Sequence, residues 1–241
     1  MSVCVFIPAY NAAATVSEVL ARIPAETWDA VQSVIVIDDG STDETARIVE
    51  ELRCKYAKLV LVSSPQNRGY GPTVRRGMQL ALETGADAIA CLHADGQYPP
   101  EKLPAFFAHM QEHGIDVLQG SRHKAGGALA GGMPVYKWLA GKVLTGLENL
   151  AFGLKLTDYH SGFLVYSRRA VTEVPIDELS GYFDFDLEFI ASARRRGLSI
   201  DELAIPTRYA DEESHLNPIR YGFRALRVTA KFLSGRYARP S

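Results

Sequence analysis

Cysteine is scarce in this sequence: Cys4, Cys54 and Cys91 are the only three in 241 residues. An odd number without short spacing argues against a disulfide scaffold or a cysteine zinc cluster, and favours a reducing compartment. Charge of one sign is also lacking. The 26 Lys+Arg stand against 28 Asp+Glu, a net of −2, so the broad positive field of a nucleic-acid binder is absent and no nucleic-acid partner is expected. Long apolar runs are missing too. A spanning helix needs ~20 apolar residues, and the longest internal candidate, Ala125 to Tyr136, contains four glycines and a proline. Residues 1–17 carry no charged side chain, but without a basic start, and with Pro8 interrupting the run, they read as a strand rather than a signal peptide. No Gly-Lys-Ser/Thr occurs, and Gly69-Tyr70-Gly71 is followed by Pro72-Thr73-Val74 rather than a third glycine. A P-loop enzyme and a dinucleotide-binding dehydrogenase are thereby disfavoured.

What is present is an ordinary globular composition, 47% hydrophobic and 10% aromatic. A chain of this length buries roughly 70 to 75% of its unfolded surface, enough for a core without metal or disulfide staples. No repeat, linker or low-complexity tract divides it, so one domain over 1–241 is expected. Apolar runs at Val3–Ile7, Val34–Ile37, Leu59–Val62 and Ala88–Leu92 have the pattern of strands covered on both faces. Between them, Val16, Val19, Leu20 and Ile23, then Thr45, Ile48, Val49 and Leu52, recur at helical spacing, with Thr15–Glu18 and Ser41–Glu44 as capping boxes. Pro72 suits the first turn of a third helix ending at Gly85. Further on, Gly126–Gly132 reads as a loop, with helices over Tyr136–Phe152 and Asp186–Arg196 and strands over Phe163–Tyr166 and Ile200–Ile205. The fold class is α/β, with strands and helices alternating around a mostly parallel sheet.

Chemistry is expected where strands end. Asp38-Asp39-Gly40-Ser41 follows the second strand, the position at which open parallel sheets bind ligands. One carboxylate can accept from a base or ribose hydroxyl while the other orients the loop; helix capping is the competing role. His93-Ala94-Asp95-Gly96-Gln97 follows the fourth strand, so Asp95 emerges on the same edge. With Gln97 or His93 it could hold a hard divalent cation, Mg²⁺ or Mn²⁺, on a diphosphate, although Asp-Gly is also an ordinary turn. Asn67, Gly69 and Gly71, before a helix, allow close backbone approach to a ligand or simply make a turn.

Phe6-Ile7-Pro8-Ala9-Tyr10-Asn11, Val36–Asp43, Asn67–Gly71 and His93–Pro100 together resemble family 2 glycosyltransferases of the GT-A fold, in order and in spacing. Downstream, Gly120-Ser121-Arg122, Asp158–Phe163 and Phe183–Glu188 resemble the polyprenyl-phosphate (dolichyl-phosphate) mannosyl- and glucosyltransferase branch. The resemblance implies a Rossmann-like nucleotide-sugar-binding half over about residues 1–120 and an irregular acceptor half over about 121–241. It assigns donor binding to Pro8, Ala9, Tyr10, Asn11, Asp38, Asp39, Gly40, Asn67, Gly69, Gly71, Ala94, Asp95 and, near the C-terminus, Arg208. Metal binding falls on Asp95 and Gln97, with His93 standing where the family has an acid. Arg122, Lys137 and Ser161 fall at acceptor positions, and Leu164 stands where an Arg is frequent.

The implied chemistry is inverting transfer of a hexose from a UDP or GDP sugar to a polyprenyl phosphate at the cytoplasmic face of a membrane. A phosphate acceptor is already anionic and needs no strong base. A soluble or saccharide hydroxyl acceptor, the alternative, does need one. Asp186 is the first candidate for that base, with Asp158 and Asp184 behind it. A non-catalytic nucleotide-sugar binder is the third reading. Beyond Pro218, Arg220, Arg224, Arg227 and Lys231 recur at i, i+4, i+7, i+11, a basic stripe that could lie on an anionic membrane or merely be solvated.

Overall fold

A computed structural model describes residues 1–124, 135–206 and 218–237 of the chain. Its centre is a sheet of seven strands: β1 (Val3–Ala9), β2 (Val31–Asp38), β3 (Leu59–Ser63), β4 (Ala88–Cys91), β5 (Val117–Ser121), β6 (Leu164–Ser167) and β7 (Ile200–Ala204). They lie in the order β3-β2-β1-β4-β6-β5-β7. β6 runs antiparallel to β4 and β5, and the remaining pairings are parallel. The helices are α1 (Val16–Arg22), α2 (Ala25–Ala30), α3 (Thr45–Leu52), α4 (Tyr70–Glu83), α5 (Leu103–His113), α6 (Val135–Phe152), α7 (Arg168–Glu173), α8 (Phe185–Arg195) and α9 (Pro218–Leu233).

The strand period of two sorts the apolar residues into two cores. Cys4 and Phe6 of β1 join Ile35, Ile37, Val74 and Met78 on one face. Val3, Val5 and Ile7 join Val16, Val19, Leu20 and Val34 on the other. Because the chain leaves β1 toward β2 on one side and returns to β4 on the other, the C-terminal ends of β1, β2 and β4 border one crevice, where an open α/β sheet takes its ligand.

The expected strands are all present, with small shifts at their ends. β5, whose Gly120-Ser121 end was expected only as part of a motif, is a buried strand between β6 and β7, and α2, α5 and α7 are further elements. Neither capping box forms. Thr15 Oγ1 donates to Ala94 O at 2.7 Å, and Ser41 Oγ accepts from Asn11 N at 2.9 Å. Both hydroxyls tie crevice loops together instead of closing helix ends. The expected loop at Gly126–Gly132 lies outside the described residues.

Candidate active site

The crevice floor is built from loops that hold one another by side chain to backbone bonds. Asn11, at φ 50°, accepts from Thr42 N at 2.9 Å through Oδ1. Ala12 N donates to Thr45 Oγ1 at 2.8 Å and Ala13 N to Asp43 Oδ2 at 3.0 Å. Pro8 and Ala9 close β1 beside Ile37 and Asp38, while Tyr10 projects outward, 44% exposed. Two neighbouring carboxylates divide the remaining work. Asp39 accepts from Arg68 N at 2.9 Å and Gly69 N at 2.8 Å, so it orients the Asn67–Gly69 loop. Asp38 accepts from Ser41 N at 3.1 Å, a bond that closes its own turn. Gly40 turns at φ 70°, and a Cβ there would meet Gln66 C at 2.5 Å. Asn67 is exposed above this loop.

Gly71 has a different environment. A Cβ on it would meet Ser180 O at 2.4 Å, and its N–H donates to Gly181 O at 3.2 Å. Its missing side chain therefore lets the start of α4 pack on the 180–181 loop, and that close approach is to protein backbone. The packing brings Tyr70 against the first turn of α8. Tyr70 Oη donates to Asp186 Oδ2 at 2.6 Å and lies 3.1 Å from His93 Nε2. When Asp186 is ionised the phenol gives its one proton to the carboxylate, and His93 then donates to the phenol oxygen through Nε2. The imidazole stands edge-on to Tyr98 and packs on Gly162, where a Cβ would meet His93 Cε1 at 2.5 Å.

Asp186 is buried, and desolvation pushes its carboxyl up to about 7 although the Tyr70 and Tyr166 hydroxyls pull it down. Burial also lowers His93, against the opposing charge of Asp95, and raises Tyr70 well above its ordinary value. A neutral imidazole, a neutral phenol and a carboxyl titrating near neutrality thus form one chain across the crevice.

The donor set for a divalent cation is thin. Among the described residues no three His, Cys, Asp or Glu side chains gather. His93 spends Nε2 on Tyr70, and Asp95, half-buried, accepts from Gln97 N at 3.0 Å through Oδ1. Gln97 shares that turn through its backbone. One carboxylate at a strand end fits a cation that takes its remaining ligands from diphosphate and water, as Mg²⁺ commonly does. It does not fit a cage made by the protein alone.

On the far side of Tyr98, Arg122 follows β5. Its Nε and backbone N both point to Asp158 Oδ2 at 3.3 Å, and an Nη donates to His160 O at 2.9 Å. Asp158 is 1% exposed, and although burial raises its carboxyl, Arg122, His160 and a backbone N–H together hold it below the ordinary range. A carboxylate so paired is a weak base, and in this structure Asp158 anchors Arg122. Behind burial and the opposing Asp95 charge, the Arg122 charge also lowers His93. Asp184 is likewise committed, accepting from Ser180 Oγ at 2.7 Å and pairing with Arg224 at 3.2 Å.

Ser161, expected at the acceptor, is 1% exposed, with Oγ toward Phe163 N and its carbonyl accepting from Gln119 Nε2 at 3.1 Å. As placed here it shapes the loop under His93. Ala94 is buried and contributes its carbonyl to Thr15. Lys137 lies on α6 with a side chain outside the described set; Arg208 lies outside the described residues. The basic stripe of α9 is split. Arg224 lies over the Tyr182 ring at 3.8 Å and pairs with Asp184, and Lys231 bonds Glu188, so both turn toward the protein, while Arg220 and Arg227 remain exposed. A cavity of about 230 Å³ opens between α9 and the 180–184 loop, but its buried carboxylates Asp184 and Glu188 are already paired with these cations.

Sequence reasoning missed Tyr70 and Glu148. Tyr70 had no signal beyond its place between two glycines. Glu148 is a lone acid in an otherwise apolar and basic helix, 1% exposed, with neither oxygen hydrogen-bonded. Desolvation, then the Asp158 charge, raises it from 4.5 to about 8. His160 Nε2 is 3.4 Å away, but burial lowers that imidazole to about 4, so the two meet as neutral groups and not as an ion pair.

The chain's similarities agree with this geometry. The family model for glycosyl transferase family 2 matches residues 4–175. A UDP-N-acetylglucosamine–dolichyl-phosphate N-acetylglucosaminyltransferase of Methanococcus voltae is 26% identical over 217 residues, 85% of this chain and 85% of the relative. A dolichol-phosphate mannosyltransferase of Pyrococcus furiosus is 29% identical over 74% of this chain and 50% of the relative. Among solved structures, glucosyl-3-phosphoglycerate synthase from Mycobacterium tuberculosis with Mn²⁺, UDP and phosphoglyceric acid aligns over 100% of this chain and 80% of its own, with TM-score 0.68 and 21% identity. With the family model covering most of the sequence and the fold shared with that solved enzyme, the chain belongs to glycosyl transferase family 2, a nucleotide-sugar-dependent glycosyltransferase of GT-A fold.

Proposed function

We propose that this glycosyltransferase moves a hexose from a UDP or GDP sugar to a polyprenyl phosphate, with inversion, at the cytoplasmic face of a membrane. The observation that carries the reading is Arg122: a guanidinium at the end of β5, fixed by a buried carboxylate and a carbonyl. Its geometry suits an anionic oxygen cluster, and as the acceptor's partner it needs no base beside it. The names of the dolichyl-phosphate relatives support the same acceptor class.

In this reading one catalytic unit has a donor half over about 1–120 and an acceptor half over about 121–241. The loops of Pro8–Asn11, Asp38–Gly40 and Asn67–Gly69 hold the nucleoside, with Asp39 as the post that fixes the last loop. Asp95, with Gln97, would hold Mg²⁺ or Mn²⁺, and a cation there would neutralise charge on the leaving diphosphate. An acceptor phosphate oxygen attacks the anomeric carbon as the bond from that carbon to the diphosphate breaks. Arg122 holds the acceptor phosphate in line. Arg208 and Lys137 remain assigned to donor and acceptor by the family resemblance.

A second reading rests on Asp186. A carboxyl near 7, hydrogen-bonded to Tyr70, is matched to accept a proton from a hydroxyl acceptor at neutral pH. The experiment is transfer from radiolabelled UDP- and GDP-hexoses, with and without Mn²⁺, to a short-chain polyprenyl phosphate or to soluble hydroxyl acceptors. Label in the lipid phosphate that Asp186→Asn leaves intact and Arg122→Ala abolishes supports the first reading. Transfer confined to hydroxyl acceptors and lost in Asp186→Asn refutes it in favour of the second.

A further inference from the structure

Helix α6 is built inside out. Its described side chains exposed to solvent include Val135, Tyr136, Leu139, Val143, Leu147 and Leu150, with Leu150 83% and Val135 68% exposed. With them go Ala140 and Gly146, so among the described side chains no exposed position of this helix is charged, Lys142 being half-buried, and the Tyr136 phenol is its one exposed polar group. The inward positions are Thr145, Glu148 and Phe152, and they include the one acid of the helix. At 100° per residue the outward residues fall within an arc of about 140° and run for about 22 Å along the axis. A helix packed only for a solvated domain has the opposite arrangement, and a contiguous apolar stripe of this kind marks a surface with a partner.

The charges nearby choose the partner. α9 packs on α6, with Phe152 and Phe232 edge to face at 4.7 Å. It exposes Phe223 and Leu233 together with Arg220 and Arg227, and it contains no Asp or Glu. Neither helix presents a carboxylate to solvent, because Glu188 and Asp184 take the inward cations of α9 and Glu148 is buried. Two copies meeting on this face by a two-fold axis would bring like charges together. An anionic lipid surface offers what both components need: headgroup phosphates for the guanidiniums and acyl chains for the apolar stripe. No helix among the described residues is long and apolar enough to cross a membrane, so this helix would lie along the interface.

We propose that the outward face of α6, assisted by the exposed arginines of α9, docks the protein on the headgroup layer of an anionic membrane. The inference deepens the acceptor reading, since it would bring a lipid-borne phosphate to the Arg122 side, but its test does not depend on turnover.

The experiment is flotation of the full chain with phosphatidylcholine vesicles, with and without phosphatidylglycerol, at low and high salt. The protein should float with the anionic vesicles, more weakly as salt rises. Leu139→Gln/Val143→Gln/Leu150→Gln, which keeps helix propensity, should lower partitioning roughly a hundredfold if each side chain inserts partly. Arg227→Gln should lower it about fivefold. Both variants should melt at or above the wild-type temperature, since only exposed groups change. Failure of the wild type to float overturns the proposal, as does a triple variant that floats undiminished. So does a wild-type dimer in sedimentation that the triple variant dissociates while vesicles capture nothing. If the wild type floats but no polyprenyl phosphate is glycosylated by either protein, docking stands and the acceptor reading falls.

Discussion

Replacing Glu148 by glutamine removes a titrating group from the interior while keeping its shape. In the wild type its carboxyl moves from 4.5 to about 8, chiefly through burial. The groups facing it are the His160 imidazole on the 157–162 segment, held near 4, with the Asp158 charge and the Tyr221 and Tyr159 phenols sensed from adjoining elements. An acid whose folded pKa is raised binds its proton more tightly in the native state, so stability is greatest below the unfolded value and falls as pH climbs toward the folded one. Each unit in that window costs about 1.4 kcal/mol, so between pH 6.5 and 8 this group removes about 2 kcal/mol. Over that range His160 is neutral in both states except near the lower limit and contributes little slope of its own.

Glutamine at 148 cannot titrate, and other groups, Asp186 among them, titrate in both proteins. The difference in stability between variant and wild type therefore isolates Glu148. For a chain of this size about 2 kcal/mol corresponds to roughly 4 to 8 °C. Melting both proteins by circular dichroism across the window should show the variant gaining that much on the wild type as pH rises. Parallel curves would refute the reasoning, because they require Glu148 to be ionised in the native state already, by a water or a shift that the unpartnered oxygens do not indicate.

Three further outcomes follow from the crevice. Tyr70→Phe removes a hydrogen bond that favours the ionised Asp186, so the carboxyl should rise about one unit further above 7, read as an upward shift in the pH profile of transfer to a hydroxyl acceptor or in a carboxyl ¹³C titration. Arg122→Ala strands a buried Asp158 and should cost about 3 kcal/mol in thermal melts, with Asp158→Asn in the same chain recovering part of it; an additive double variant would contradict the pairing. Gly71→Ala forces a Cβ toward Ser180 O and should destabilise by about 1 to 3 kcal/mol, with weaker contact between Tyr70 and Asp186 visible as a changed Asp186 titration.

Strands β1 to β4 were legible because they are continuous apolar runs between turn residues, the pattern of a sheet covered on both faces. β5 escaped because Val117–Ser121 contains Gln119 and Gly120, whose burial depends on Ser161 and Phe163 arriving from distant sequence. The capping boxes failed for a related reason: Thr15 and Ser41 have the local chemistry of caps, but loops from other strands offered them partners. That one carboxylate of the Asp38-Asp39 pair orients a loop was readable from the strand end it follows, but that Asp39 is the one depends on the Arg68 and Gly69 N–H groups that meet it. The division of labour among the remaining carboxylates was not, since Asp158 and Asp186 differ mainly in what faces them. One meets a guanidinium and the other two phenols, and that difference sets one below the ordinary range and the other near 7.

Glu148 and the apolar outer face of α6 pose the same problem in reverse. Periodicity places a helix over these residues, and Leu139, Val143 and Leu150 share one of its faces, so the ordinary inference puts that face inside and Glu148 in water. The structure has them exchanged. A period gives the phase of a helix only up to the identity of what covers it, and a lipid surface is apolar enough to take the place of a core. An acid on the inward face then meets low dielectric and is held neutral by burial, which is the state that permits the helix to lie this way round. Raising pH above that carboxyl's range should therefore weaken vesicle binding in the wild type more than in Glu148→Gln, beyond any change in lipid charge that both proteins share. Flotation of the pair at pH 6.5 and 9 tests this coupling, and equal loss in both would separate the buried acid from the orientation of α6.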